Sequence, residues 1–171
     1  MTASSTTTTP TAATTLARTA AALMLLSAAI SAYWAAGGTG LLDTVGGTIE
    51  RWGREGGTGV RLAMIVVVTL KLLGAWLPVR AVHPDCSRTI RRLAWLEAAI
   101  LIIYGGVLTA TELAAQVGLI APGPHPDWKA LHWHTYLWDP WFLIVGLLTW
   151  AALRSTARET PGVDGVADAV S

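Results

Sequence analysis

Four stretches of this chain are apolar for about the length a helix needs to cross a bilayer, near residues 16–36, 60–79, 93–120 and 137–153. A span takes about 20 mainly apolar residues, at 1.5 Å of rise per residue across roughly 30 Å of hydrocarbon. Charged residues make up only 13% of the 171, about half the share of an ordinary soluble domain. A soluble fold this short would leave much of its apolar surface in water. The stretches also lack the polar stripe at helical spacing that marks a soluble four-helix bundle. The fold class expected is therefore all-α, a four-transmembrane-helix bundle over residues 16–154. The Thr/Ser-rich segment 1–15 and the small, weakly acidic segment 155–171 read as disordered tails. Ala29-Ile30-Ser31 has the small residues of a signal-peptidase site, but Tyr33-Trp34 continues the apolar run, so the first span is read as retained.

Orientation follows from Lys and Arg. Arg80, Arg88, Arg91 and Arg92 crowd the loop between the second and third spans, which places that loop in the cytoplasm. Both termini then lie inside: seven basic residues fall on that side and four (Arg51, Arg54, Arg61 and Lys129) on the other. The location expected is the cytoplasmic (inner) membrane, multi-pass, with the lipid bilayer as the main partner. Trp34, Trp138 and Trp141 would mark the outer boundary, and Trp76, Trp95 and Trp150 the inner one, with Trp52, Trp128 and Trp133 in loops. The 12 basic and 11 acidic residues are scattered, without the basic stripe that nucleic acid requires. A single cysteine, Cys86, excludes an intramolecular disulfide and dithiol redox chemistry.

Ionisable groups inside spans are costly, which draws attention to Lys71, Glu97 and Glu112. If the second and third spans form an antiparallel hairpin, Lys71 and Glu97 both sit roughly 8–12 Å into the inner leaflet and can meet. The same register brings Arg61 to Glu112 near the outer end. The structural reading is two salt bridges fastening the hairpin. The functional reading is a proton or ion relay, and independent snorkelling of Lys71 and Glu97 is the third.

A second constellation gathers at the outer face. Tyr33 and Trp34 end the first span, Asp43 and Glu50 lie in the loop beyond, and His132, His134 and Asp139 precede the fourth span. On an extended segment, His132 and His134 would turn both imidazoles to one side, as a divalent metal such as zinc requires, with carboxylates completing the shell. The alternative is interfacial histidines that meet water, and no cofactor follows from the spacing alone. Asp139-Pro140 reads as an N-cap followed by a first-turn proline. Gly106 and Ala110, and Ala28, Ala32 and Ala36, are spaced for close helix approach.

Tyr33-Trp34-Ala35-Ala36-Gly37-Gly38, the Asp43 that follows, and Trp138-Asp139 before the last span resemble a family of small bacterial membrane proteins, domain-of-unknown-function family 3995, over about residues 16–153. The resemblance implies four helices, an aromatic-Trp-x-x-Gly-Gly end to the first of them, and no assigned chemistry. The function expected is that of a small membrane-embedded binding or scaffold protein, associating with itself or with a membrane-protein partner. One alternative is a small-solute or proton-coupled transporter using Lys71, Glu97 and Glu112. The other is an interfacial enzyme using the outer His/Asp cluster.

Overall fold

In the computed structural model, residues 11–121 and 126–159 are described, and every regular element among them is helical. Helix α1 runs Ala12–Ala35, two short helices α2 (Leu42–Val45) and α3 (Gly47–Glu55) follow, and α4 (Thr58–Ala81) and α5 (Arg88–Gln116) form a hairpin. Then α6 (Trp128–Trp133) passes through a π-helical turn at His134–Trp138 into α7 (Asp139–Glu159). Four rods, α1, α4, α5 and the continuous Trp128–Ala157 segment, are long and apolar enough to cross a membrane. The protein is a multi-pass membrane protein, and the large apolar side chains exposed along α4 and α5, such as Leu62, Leu70, Leu96 and Ile103, form its lipid-facing surface.

Each span begins before its apolar run, although not every one extends past the end of it. Thr11 caps α1 by accepting a 3.3 Å hydrogen bond from the Thr14 amide, so residues 12–15, expected in the tail, form the first turn. Residues 155–159, also assigned to a tail, complete the last turns of α7. The remaining tail residues, 1–10 and 160–171, lie outside those described. The third span starts earlier than expected because Ser87 caps α5, accepting from the Ile90 amide at 3.3 Å, and it ends at Gln116.

Helix order in space departs from helix order in sequence. α1 packs against α4 on one side and α7 on the other, α7 packs against α5, and α4 and α5 touch much less. The cause is visible in α1. Its buried residues Ala13, Ala17, Ala20, Met24, Ser27, Ala28 and Ser31 recur every three or four positions, a stripe of small side chains that lets neighbouring backbones come close. Ala32 and Ala36, expected in that stripe, are exposed. In α5 the close-approach glycine is Gly105 rather than the Gly106 and Ala110 pair. A Cβ on Gly105 would stand 2.5 Å from the Leu143 amide nitrogen and 2.6 Å from the Asp139 carbonyl. Gly146 faces Ile102 in the same way, with 2.9 Å to its backbone nitrogen. α5 and α7 are thereby locked together, while α4 and α5 meet at their hairpin end, where Ala81, Ala94 and Leu153 form a small core with Cys86 against it.

Candidate functional site

The hairpin salt bridges expected from sequence are not formed. Lys71 turns away from Glu97 and donates to Ser27 Oγ and Ser31 Oγ, both at 2.8 Å, and to the Ser27 carbonyl at 3.4 Å. It also lies 5.5 Å from the Phe142 ring centroid. The reason is packing: α1 sits beside α4 where α5 was expected, and its small serines leave room for the ammonium. Arg61 is exposed, and Glu112 faces His134 instead.

Between the splayed α4 and α5 lies a groove of about 610 Å³. Leu70, Leu73, Trp76, Leu93, Leu96 and Ile100 line it, with Lys71 and Glu97 as its charged residues. Glu97 Oε2 is buried without a hydrogen-bond partner, and Gly74 gives the carboxylate space, since a Cβ there would stand 2.6 Å from Glu97 Oε1.

The loop after α1 builds a cap at one end of the bundle. Tyr33 and Trp34 hold opposite sides of Gly40: the Tyr33 hydroxyl accepts from its amide at 3.3 Å, and Trp34 Nε1 donates to its carbonyl at 2.7 Å. Gly38 sits under the Tyr33 ring, where any Cβ would lie 2.3 Å from Cζ. Trp34 also packs edge-on against Trp138 at 5.9 Å, and Trp138 Nε1 donates to Thr44 Oγ1 at 3.2 Å. These two tryptophans therefore join the loop to the last span. Trp141, expected at the outer boundary, is turned into the bundle and donates to the Leu23 carbonyl at 3.2 Å. Trp52 lies in α3, and Trp128 and Trp133 lie in α6, not in loops.

The residues expected at the outer face separate into distinct groups. Asp43 pairs with Lys129 of α6, and that hydrogen bond holds its carboxyl below the usual aspartate range. Glu50 pairs with Arg54 one turn along α3, at 2.8 Å. His132 is exposed and bonds the Trp128 carbonyl, 2.6 Å from Nδ1. His132 and His134 are not turned to one side as an extended segment would place them: the segment is helical, so residues two apart point about 160° apart. Helix start is also earlier than expected. Asp127 caps α6, accepting from the Ala130 amide at 3.0 Å, so Asp139 is not an N-cap. The chain instead passes Pro140 by widening into the π turn, in which the Asp139 amide bonds the His134 carbonyl five residues back.

That turn leaves the Asp139 side chain free to face His134, and Glu112 joins them from α5. His134 Nδ1 lies 2.9 Å from Asp139 Oδ2 and 3.9 Å from Glu112 Oε1, while Nε2 lies 3.1 Å from the Val45 carbonyl. The ligand atoms of the three side chains all fall within 4.8 Å of one another. His134 and Asp139 border an interior cavity of about 240 Å³, together with Ser27, Ser31, Trp34 and Lys71. Lys71 thus borders both this cavity and the α4/α5 groove.

Residues 23–149, most of the chain, match the family model described as a protein of unknown function (DUF3995). The chain belongs to the DUF3995 family. No curated protein and no solved structure matches it. The matched range holds the whole of both sites in this DUF3995 protein: the Tyr33–Gly40 clasp, Lys71 and its serines, Glu97, and the Glu112, His134 and Asp139 triad. Sequence reasoning missed Ser27, Ser31 and the Val45 carbonyl. The serines carried a signal, being two hydroxyls four residues apart inside an apolar span; the carbonyl carried none.

Proposed function

We propose that this protein is a small membrane-embedded binding protein whose ligand, an apolar chain bearing a compact polar group, enters sideways from the bilayer between α4 and α5. The observation that carries this reading is the groove itself. Its volume falls within the roughly 300–1,000 Å³ of small-molecule sites, and its walls are mostly exposed apolar side chains continuous with the lipid-facing surface. Within that apolar lining, the Glu97 carboxylate is the hydrogen-bonding group for a polar headgroup. Orientation in this proposal is the one that the arginines favour, both termini inside, with the groove in the inner leaflet of the cytoplasmic membrane and the Glu112 triad toward the outside. Self-association or docking on a larger membrane protein would use the same lipid-facing helices.

Native mass spectrometry of protein released from mild detergent tests the reading. The parent chain should retain a lipid-sized adduct, and Leu96→Trp, which fills the groove from an exposed position, should lose it while staying folded. An adduct of equal occupancy in Leu96→Trp would overturn the proposal.

A coupled carrier is the second reading, favoured by the position of Lys71 on both the groove and the outer cavity. It requires Glu97→Gln to abolish transport while leaving bound lipid in place.

A further inference from the structure

We infer that Glu112, His134 and Asp139 form a binding site for a divalent transition-metal ion of the zinc class, separate from the lipid groove. Three observations lead to it. The first is the orientation of the imidazole. Its Nε2 faces the Val45 carbonyl, which can only accept, so Nε2 carries the proton and Nδ1 is turned toward the two carboxylates. A ligating histidine that donates its other ring N–H to a backbone carbonyl is the usual support of a metal site, because it fixes tautomer and ring direction together.

The second is spacing. Tetrahedral bonds of 2.0–2.2 Å place neighbouring ligand atoms about 3.3 Å apart. The separations from Nδ1, 2.9 Å to Asp139 and 3.9 Å to Glu112, bracket that value, so small side-chain rotations suffice. The backbone supporting them is rigid: Asp139 and His134 flank one π turn, and Gly105 holds the Asp139 carbonyl against α5.

The third is charge. Asp139 is 1% exposed, and Glu112 Oε2 is buried without a partner. Among the described residues, neither carboxylate forms an ion pair with a lysine or arginine. Two largely buried carboxylates facing one imidazole call for positive charge between them, a shared proton or a bound cation, since an uncompensated buried charge is strongly destabilising. A divalent ion supplies it while also engaging Nδ1. Three protein ligands beside a cavity leave a coordination position for water or a small solute, the pattern of exchangeable rather than purely structural sites.

The test uses the full-length, tag-free chain in detergent, stripped with a chelator and titrated with Co²⁺, whose visible absorption reports coordination, and then with Zn²⁺ as competitor. The parent should take up one Co²⁺ per chain, displaced by Zn²⁺. Glu112→Gln, which keeps volume and hydrogen bonding, should weaken Co²⁺ by more than the roughly 10–100-fold that losing an outer-shell partner costs. His134→Ala should abolish the bands, whereas His132→Ala should keep them. Circular dichroism and a monodisperse elution profile certify each variant as folded. The inference is overturned by failure of the parent to bind stoichiometric Co²⁺, by binding that Glu112→Gln leaves unchanged, or by loss in His132→Ala; the three side chains would then share a proton alone.

Discussion

Lys71 and Glu97 line one groove from opposite helices, yet the ammonium is turned to Ser27 and Ser31 of a third helix at 2.8 Å each, and Glu97 Oε2 is left without a partner. The groove is consequently lined by a carboxylate that Lys71 does not neutralise. A ligand with a polar head can use such a group, whereas a closed salt bridge would have offered nothing.

The seryl cradle predicts a non-additive effect. Ser27→Ala with Ser31→Ala removes both hydroxyl acceptors of a partly buried ammonium and should cost about 1–3 kcal/mol. In a Lys71→Met background the same pair should cost little, because no charge is then left unsatisfied. Thermal unfolding of the four proteins in one detergent measures the cycle. Equal serine costs in both backgrounds would show that Lys71 does not depend on them.

Gly105 should be the least replaceable small residue of α5. Its Cβ would meet backbone of α7, which cannot swing aside, so Gly105→Ala should destabilise by about 1–3 kcal/mol. Gly106→Ala meets only Leu143 Cδ1 at 3.8 Å and should be close to neutral. Melting temperatures in the same detergent distinguish the two, and equal losses would mean that α5 and α7 are not in close contact.

Length and hydropathy locate the four spans because the bilayer imposes a common requirement on each. Which spans adjoin is set by side-chain size, and the alanine and serine stripe of α1 reveals its own contact face but not which helices will occupy it. The Lys71–Glu97 pairing failed for this reason. His134 and Asp139 were legible as outer residues, but their meeting depends on a π turn, and Pro140 beside an aspartate suggests a helix start as readily as a helix that widens. Glu112 joins them only because Gly105 brings α5 against α7.

The Asp43–Lys129 pair ties α2 to α6 and gives a pH signature. The carboxyl is held below its ordinary value in the folded state, chiefly by the Lys129 hydrogen bond. Its contribution is therefore complete above the unfolded aspartate value, about pH 4, and is lost as pH falls through the lower folded value. Lys129→Met should melt below the parent at pH 6 in low salt, and the gap should shrink in high salt and close as pH falls through the lowered Asp43 value, since the pair is exposed. A gap that neither salt nor acid changes would assign the effect to packing.

The central claim, that an amphiphile enters between α4 and α5, is tested most directly by photolabelling in bilayer nanodiscs with a diazirine-bearing single-chain lipid, followed by peptide mapping. The account predicts adducts concentrated on Leu70, Leu73, Leu96 and Ile100, reduced by excess unlabelled lipid of the same headgroup. Labelling spread evenly over all lipid-facing positions, Leu25 and Ile103 included, with no competition, would contradict it.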